Sequence, residues 1–285
     1  MKSKLAAFLF LLLIFPICVF SQSKIWGITN KGGNGTIGTI YNTDNDGTNH
    51  TLLNEFAANN AGSKPFGDLI EVNNVLFGFT SEGGNFNDGV LFSFDLVSQQ
   101  YTVLHHFDGV STGANPKGKL MQANNGLLYG LTAQGGLNNG GVLFSFDINS
   151  GTLTKLHDFT FVSGIEPDGG LVEQTVGELY GVTYRGGLND KGVIFKFIIA
   201  GNSYQSLFEF NALNGENPRG TLLKTPNGYL MGITTNGGVN SKGVVFGYRV
   251  SSNTFTKHVD FSSVSGGNPE GSLFFNPLTD KCYGL

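Results

Sequence analysis

Cysteine is nearly absent: the 285 residues hold two, Cys18 and Cys282. Cys18 lies in an N-terminal apolar run, so a chain without that run keeps one thiol and can form no internal disulfide. Its stability must then come from a core or from stacked repeats. Basic residues are also few, 17 Lys and Arg against 21 Asp and Glu, for a formal net charge of −4. This is the opposite of a nucleic-acid binder's basic footprint, and no nucleic-acid partner is expected. No stretch sustains a helical period, which leaves little room for helix. Beyond the N-terminus no segment is apolar enough to cross a bilayer, so no transmembrane segment is expected in the mature chain.

The N-terminus itself reads as an address. Lys2 and Lys4 precede an apolar run from Leu5 to Phe20, and Ser21-Gln22 follow. A basic start, a short apolar stretch and a small residue form a secretory signal peptide, here residues 1–21 with cleavage after Ser21. The run is shorter than the roughly 20 residues a membrane span needs, and Pro16 interrupts it. Lipid attachment at Cys18 is disfavoured because Phe15-Pro16-Ile17 lacks the small residue expected before a lipidated cysteine. The expected location is secreted or at the cell surface.

What the chain has in quantity is glycine, 43 residues, and phenylalanine, 25 residues. The glycines recur with a period. "LYGLTAQGG" from Leu128 returns as "LYGVTYRGG" from Leu179, "LMGITTNGG" from Leu230, "LFGFTSEGG" from Leu76 and "IWGITNKGG" from Ile25. The first glycine of each copy is Gly27, Gly78, Gly130, Gly181 and Gly232, with Gly284 opening a sixth, at steps of 51, 52, 51, 51 and 52 residues. A glycine-rich phosphate loop would need a helix after it. Here the strand-like "GVLFSFD" follows, and the glycines repeat in every copy.

Each copy contains four short apolar runs separated by turn signals. In the third, "GKLMQA", "LLYGLT", "GVLFSFD" and "TLTKLHDF" are the four strands, and Asn124-Asn125-Gly126 marks a hairpin. One four-stranded sheet cannot bury both its faces, so neighbouring copies must cover it. The expected fold is all-β: a β-propeller of four-stranded, kelch-like blades of about 51 residues, five full repeats plus the start of a sixth, as one domain over residues 22–285. The loop leading into each first strand carries Gly-x-x-Pro-x-Gly, at Gly62, Gly113, Gly164, Gly215 and Gly266, and uses five of the eight prolines.

These segments resemble the GloVer tandem repeat of exported bacterial proteins, whose pattern runs close to Leu-Tyr-Gly-x-Thr-x-x-Gly-Gly followed by Gly-Val and an aromatic. The resemblance covers Ile25 to the C-terminus. It implies a repeat scaffold on exported proteins and a kelch-like strand order, with Phe92, Phe144, Phe195 and Phe246 at the strand-three aromatic position. It implies no particular activity.

Candidate chemistry is sparse. His105 and His157 align with Asn54, Phe208 and Val259, a position that tolerates apolar residues and so reads as packing; His258 adds no partner. His106 stands where other copies carry Glu55, Asp158, Glu209 and Asp260. "NTDNDG", Asn42 to Gly47, has the look of a calcium loop but lacks the Glu an EF-hand places twelfth, and reads as a turn. No catalytic set emerges: there is no sialidase-type Asp box, a single tryptophan (Trp26), and no Ser/His/Asp group above the repeat background. No metal and no cofactor are expected.

Binding residues are sought where the copies disagree while the frame holds. After the loop proline come Phe66, Lys117, Asp168, Arg219 and Glu270. Before Gly-Gly come Lys31, Glu82, Gln134, Arg185 and Asn236. Strand one leaves one face and strand two returns to it, which puts both sets on one rim. The expected function is an exported scaffold, a monomer, that binds a carbohydrate or protein ligand there; the alternative is a propeller hydrolase or lyase with a polar site at the channel mouth. The first copy begins at strand two, "KIWGIT", and "GSLFFN" (271–276) could supply its missing strand. The chain continues through "KCYGL", however, so a longer protein is expected, with a further blade and a C-terminal sorting or anchoring segment.

Overall fold

The computed structural model describes residues 24–56 and 60–284; the signal-peptide reading of residues 1–21 lies outside them. The described chain is a succession of antiparallel meanders. β1 (Lys24–Thr29), β2 (Thr39–Asp44) and β3 (Thr51–Glu55) form the first sheet. Four four-stranded sheets follow. They are β4 (Ser63–Val72) to β7 (Tyr101–His106), with β5 (Val75–Glu82) and β6 (Val90–Asp95) between; β8 (Met121–Gln122), β9 (Leu128–Thr132), β10 (Val142–Asp147) and β11 (Thr152–Asp158); β12 (Val172–Thr175), β13 (Glu178–Thr183), β14 (Val193–Ile198) and β15 (Ser203–Glu209); and β16 (Glu216–Lys224), β17 (Tyr229–Asn236), β18 (Val244–Arg249) and β19 (Thr254–Asp260). β20 (Phe274–Asn276) and β21 (Lys281–Tyr283) pair with each other. Among the described residues β1 pairs with β2 alone, and the single helical turn is Val250–Ser252.

Middle strands such as β9 have all five residues buried, because side chains that alternate between the two faces meet a sheet on each side. Leu128, Phe144 and Phe146 face the preceding sheet and pack with Phe79 and Phe107. Their neighbours Tyr129, Leu131 and Leu143 face the following sheet and pack with Leu179 and Phe195. The next sheet repeats this: Tyr180, Val182 and Ile194 meet Leu230 and Phe246. Each core therefore lies between two sheets, and period-2 patterning fills both sides.

The sheets converge at their first strands. A Cβ on Gly118 would stand 1.9 Å from the carbonyl oxygen of Gly169, and one on Gly169 would stand 2.2 Å from that of Gly220. Gly67 meets Gly118 and Gly220 meets Gly271 in the same way, at 2.4 and 2.5 Å. Five glycines from five successive sheets thus touch around one axis, where no side chain fits. The Gly-Gly pair after each second strand has a different cause: Gly135 and Gly136 have φ of 78° and 76°, two successive left-handed residues that favour glycine.

Two details differ from the sequence reading. The Gly-x-x-Pro segment is not a free loop. In β4 and β16 it pairs with the end of strand two (Pro65 with Thr80, Pro218 with Thr234), and a bulge then releases the axial glycine. Ala114 and Ile165 make the equivalent bridges to Gln134 and Arg185. The strand expected over "GKLMQA" shrinks to Met121–Gln122, because its first residues run along the axis.

Candidate functional site

The threonine of each second strand fixes the frame. Thr183, fully buried, donates to the Arg185 carbonyl at 3.0 Å and accepts from the Val193 N–H at 3.1 Å. Thr80, Thr132 and Thr234 make the same two bonds. One hydroxyl thus satisfies two backbone groups at the end of strand two, and holds the turn from which the variable residues project.

The two variable sets have different surroundings. Phe66, Lys117, Asp168, Arg219 and Glu270 line a single axial pocket of about 280 Å³, together with the axial glycines, Asp68, Lys119, Thr221 and Ser272. The structure brings these five residues together from five sheets. The second set does not line this pocket. Glu82 pairs with Lys64 at 2.7 Å, and Arg185 pairs with Asp190 at 2.7 Å and Glu166 at 3.6 Å. The Asn236 amide donates to Asn217 at 3.2 Å and its oxygen accepts from Asn268 at 3.0 Å. The Gln134 backbone exchanges two hydrogen bonds with Ala114, and Lys31 lines a shallow groove with Phe66.

A regularity links that second set to the residue before each loop proline. Lys64, Asn115, Glu166, Asn217 and Asn268 all have φ between 52° and 59°. A residue preceding proline ordinarily avoids helical angles, and left-handed ones are rarer still outside glycine and asparagine. This conformation sets Lys64, Glu166 and Asn217 beside Glu82, Arg185 and Asn236 of their own sheets. At Glu82, Arg185 and Asn236 the second variable position therefore has a partner inside its own repeat, and Asn236 has another in the next, Asn268.

The axial charges are arranged otherwise. Around the axis the order is Phe66, Lys117 (+), Asp168 (−), Arg219 (+), Glu270 (−). Arg219 Nε lies 3.7 Å from Asp168 Oδ2 and Nη1 lies 3.6 Å from Glu270 Oε1, beyond hydrogen-bond reach, and buried Nε finds no acceptor. Lys119 stands 4.0 Å from Asp68. Ion pairs outside the pocket close to hydrogen-bond distance, as in Lys155–Asp158 at 2.7 Å, Lys191–Glu216 at 3.1 Å and Lys196–Glu178 at 3.1 Å. The guanidinium is instead held by stacking over the Tyr184 ring of the preceding sheet, 4.4 Å from its centroid. Burial pushes the Asp168 carboxyl above its ordinary value, with Arg219 and Lys117 pulling the other way. The pocket thus holds an arginine that is ion-paired with two carboxylates at long range and hydrogen-bonded to neither.

Tyr184 was not picked out by sequence reasoning, nor were the pre-proline residues. A signal for Tyr184 exists: the position after the motif threonine reads Ser81, Ala133, Tyr184 and Thr235, as variable as those chosen. Ser81 and Thr235 hydrogen-bond the carbonyls of Lys64 and Pro269.

The other candidates have structural partners. His157 stacks on Tyr204 of the next sheet, with centroids 4.3 Å apart and planes 2° apart, and meets Phe159 edge-on. His105 meets Phe107 edge-on, and His258 meets Tyr229. The acidic position on strand four anchors the Gly-Gly loop: Glu55, Asp158, Glu209 and Asp260 accept the N–H of Asn34, Leu137, Leu188 and Val239. His106 does the same through Nδ1, accepting from Asn85 at 3.2 Å, which accounts for histidine among acids. In the calcium-like segment, Asp44 binds Lys24 and Asn49 while Asp46 binds Thr48, as turn residues do.

Repeated four-stranded meanders packed face to face, with first strands meeting on an axis, define a β-propeller, and the pocket lies on that axis. The chain belongs to the Gloeobacter/Verrucomicrobia repeat family, whose model matches residues 16–125 and 95–285. Among solved structures it is similar to TolB from Acinetobacter baumannii, with 14% identity and a TM-score of 0.55, over 90% of this chain and 56% of that one. It is similar to a chain of a nidogen/laminin complex, with 12% identity and a TM-score of 0.57, over 92% and 93%. The GH74 enzyme of Niastella koreensis gives 18% identity and a TM-score of 0.56, over 82% of this chain and 36% of that enzyme. The chain thus spans about half of the TolB chain and about a third of the enzyme, and at these identities the likeness is one of fold. No curated protein matches the sequence.

Proposed function

We propose that this protein is an exported, secreted or cell-surface, scaffold whose axial pocket binds a carbohydrate or protein ligand. The observation that supports the reading is the set of unconsumed charges: Lys117, Asp168 and Glu270 surround an Arg219 held over Tyr184 without a hydrogen-bonded partner. Charged groups kept apart in a rigid, partly buried site recover their hydrogen bonds when a ligand supplies them. The scaffold is of kelch-like type in this reading, with five full repeats and the start of a sixth. Of the ten variable residues singled out in the sequence, Lys117, Asp168, Arg219 and Glu270 are assigned to the ligand. Glu82, Gln134, Arg185 and Asn236 are assigned to support within each repeat.

The alternative, a hydrolase or lyase at the same pocket, takes its support from Asp168, whose carboxyl is pushed up by burial as a proton donor requires, with the more exposed Glu270 on the other side of Arg219. Both readings are tested together. Purified protein is screened on a glycan array and in pull-downs, and assayed for turnover of the glycans that bind. Binding without turnover, lost when Arg219 is replaced, is the expected result. Turnover abolished by Asp168→Asn with binding retained would establish the enzyme instead.

A further inference from the structure

Resting on the binding reading of this pocket, we infer that its ligand is a uronic acid residue, a pyranose bearing a carboxylate, presented singly or at the end of an acidic saccharide. The argument begins with size. At about 280 Å³ the pocket sits just under the range of about 300–1,000 Å³ that holds drug-sized ligands, so it admits one ring rather than a chain of them.

The polar lining then sets what that ring must carry. Arg219 offers N–H donors, including a buried Nε with no acceptor, and Lys117 offers a second cation two sheets away. A planar guanidinium with free donors matches a carboxylate. Asp168 and Glu270 flank Arg219 at 3.7 and 3.6 Å and are acceptors, so the ligand needs donors on either side of its anion. Hydroxyls spaced around a sugar ring provide them. A phosphate concentrates more negative charge on one centre than a carboxylate does, and its few hydroxyls are not spread out to meet carboxylates on both sides of Arg219. A neutral hexose leaves the buried Arg219 Nε without an anion. The single ammonium of an amino acid cannot reach both carboxylates with Arg219 between them.

The remaining wall is Phe66, a ring 46% exposed at the pocket's edge and free to stack on the C–H face of a pyranose.

The test is calorimetric titration of the full chain with D-galacturonate and D-glucuronate against D-galactose, D-glucose, L-glutamate and inorganic phosphate. The expected result is that a uronate binds at least tenfold tighter than its neutral counterpart. That margin should shrink as salt is raised and vanish in Arg219→Gln. Lys117→Gln should weaken uronate alone, while Phe66→Ala should weaken uronate and neutral sugar alike. Neutral sugars binding as tightly as uronates would overturn the uronate assignment and leave the binding reading standing. Glutamate or phosphate as the tightest probe would also overturn it. Binding by none of the six would overturn it too, and the binding reading would then be judged separately by the glycan array and pull-down.

Discussion

The strand β9, "LYGLT", and the strand β1, whose last five residues read "IWGIT", carry nearly the same motif and have different fates. All five residues of β9 are buried, whereas Ile25 is 51% exposed and Trp26 only half-buried. β9 lies between two complete sheets that cover both faces and two strands that pair both edges. Among the described residues β1 has one neighbouring strand and one neighbouring core. Burial in this molecule is therefore conferred by the neighbouring copy more than by the motif, as nearest-neighbour repeat proteins require. The polar frame shows the same dependence. Thr132 brackets two backbone groups, while Thr29, its counterpart in β1, is exposed and bonds the Thr39 hydroxyl at 2.9 Å.

The sharpest break in this comparison is core truncation. Phe144 is fully buried against Phe79 and Phe107 of the preceding sheet, and Phe144→Ala should cost about 3–5 kcal/mol in denaturant unfolding. Trp26→Ala in β1 should cost less than half as much; equal losses would show that the end sheets are as tightly held as the middle. Next comes the axis. Gly118→Ala drives a methyl into the Gly169 carbonyl and should cost about 1–3 kcal/mol, while Gly35→Ala, whose Cβ meets nothing nearer than 3.4 Å, should cost little. Thermal melts of the two variants check this, and indistinguishable melting temperatures would refute the axial contact. Thr132→Val leaves the buried Val142 N–H unpaired and should cost about 1–3 kcal/mol, against a few tenths for Thr29→Val.

The smallest effect concerns pH. Burial lowers the pKa of His157 below its ordinary 6.5, with the Asp158 charge opposing. The unfolded state therefore takes up the proton first, so this contribution is intact above pH 6.5 and is lost as pH falls below it. His157→Phe, the residue that the next copy carries at Phe208, should lose less stability than the parent between pH 7.5 and 5. Parallel declines for the two proteins would remove the histidine from the account.

Much of this was legible in the sequence because it is local or strictly periodic. The steps of the first glycines fixed the repeat, the hairpin signals fixed the strands, and the register places His105, His157, Phe208 and Val259 opposite Leu91, Leu143, Ile194 and Val245, as the alignment of copies implied. The convergence of Lys117, Asp168, Arg219 and Glu270 followed from the face shared by their loops. What escaped notice depends on a contact between copies and on an unusual backbone angle, which local patterns do not predict. The Arg219–Tyr184 stack joins residues of different sheets. The pairing of Lys64 with Glu82 depends on a left-handed residue before proline, against the usual preference, so no propensity argument reaches it. Both variable positions therefore looked equivalent, although one set faces the axis and the other faces its own repeat.

That distinction is the centre of the account, and one measurement addresses it directly. Two variants with four substitutions each are compared with the parent across a glycan array, after their melting temperatures confirm folding. One carries Lys117→Gln, Asp168→Asn, Arg219→Gln and Glu270→Gln; the other carries Glu82→Gln, Gln134→Ala, Arg185→Gln and Asn236→Ala. The account predicts that the axial variant loses the parent's binding while the second retains it within about threefold. Retention by the axial variant with loss in the second would contradict it.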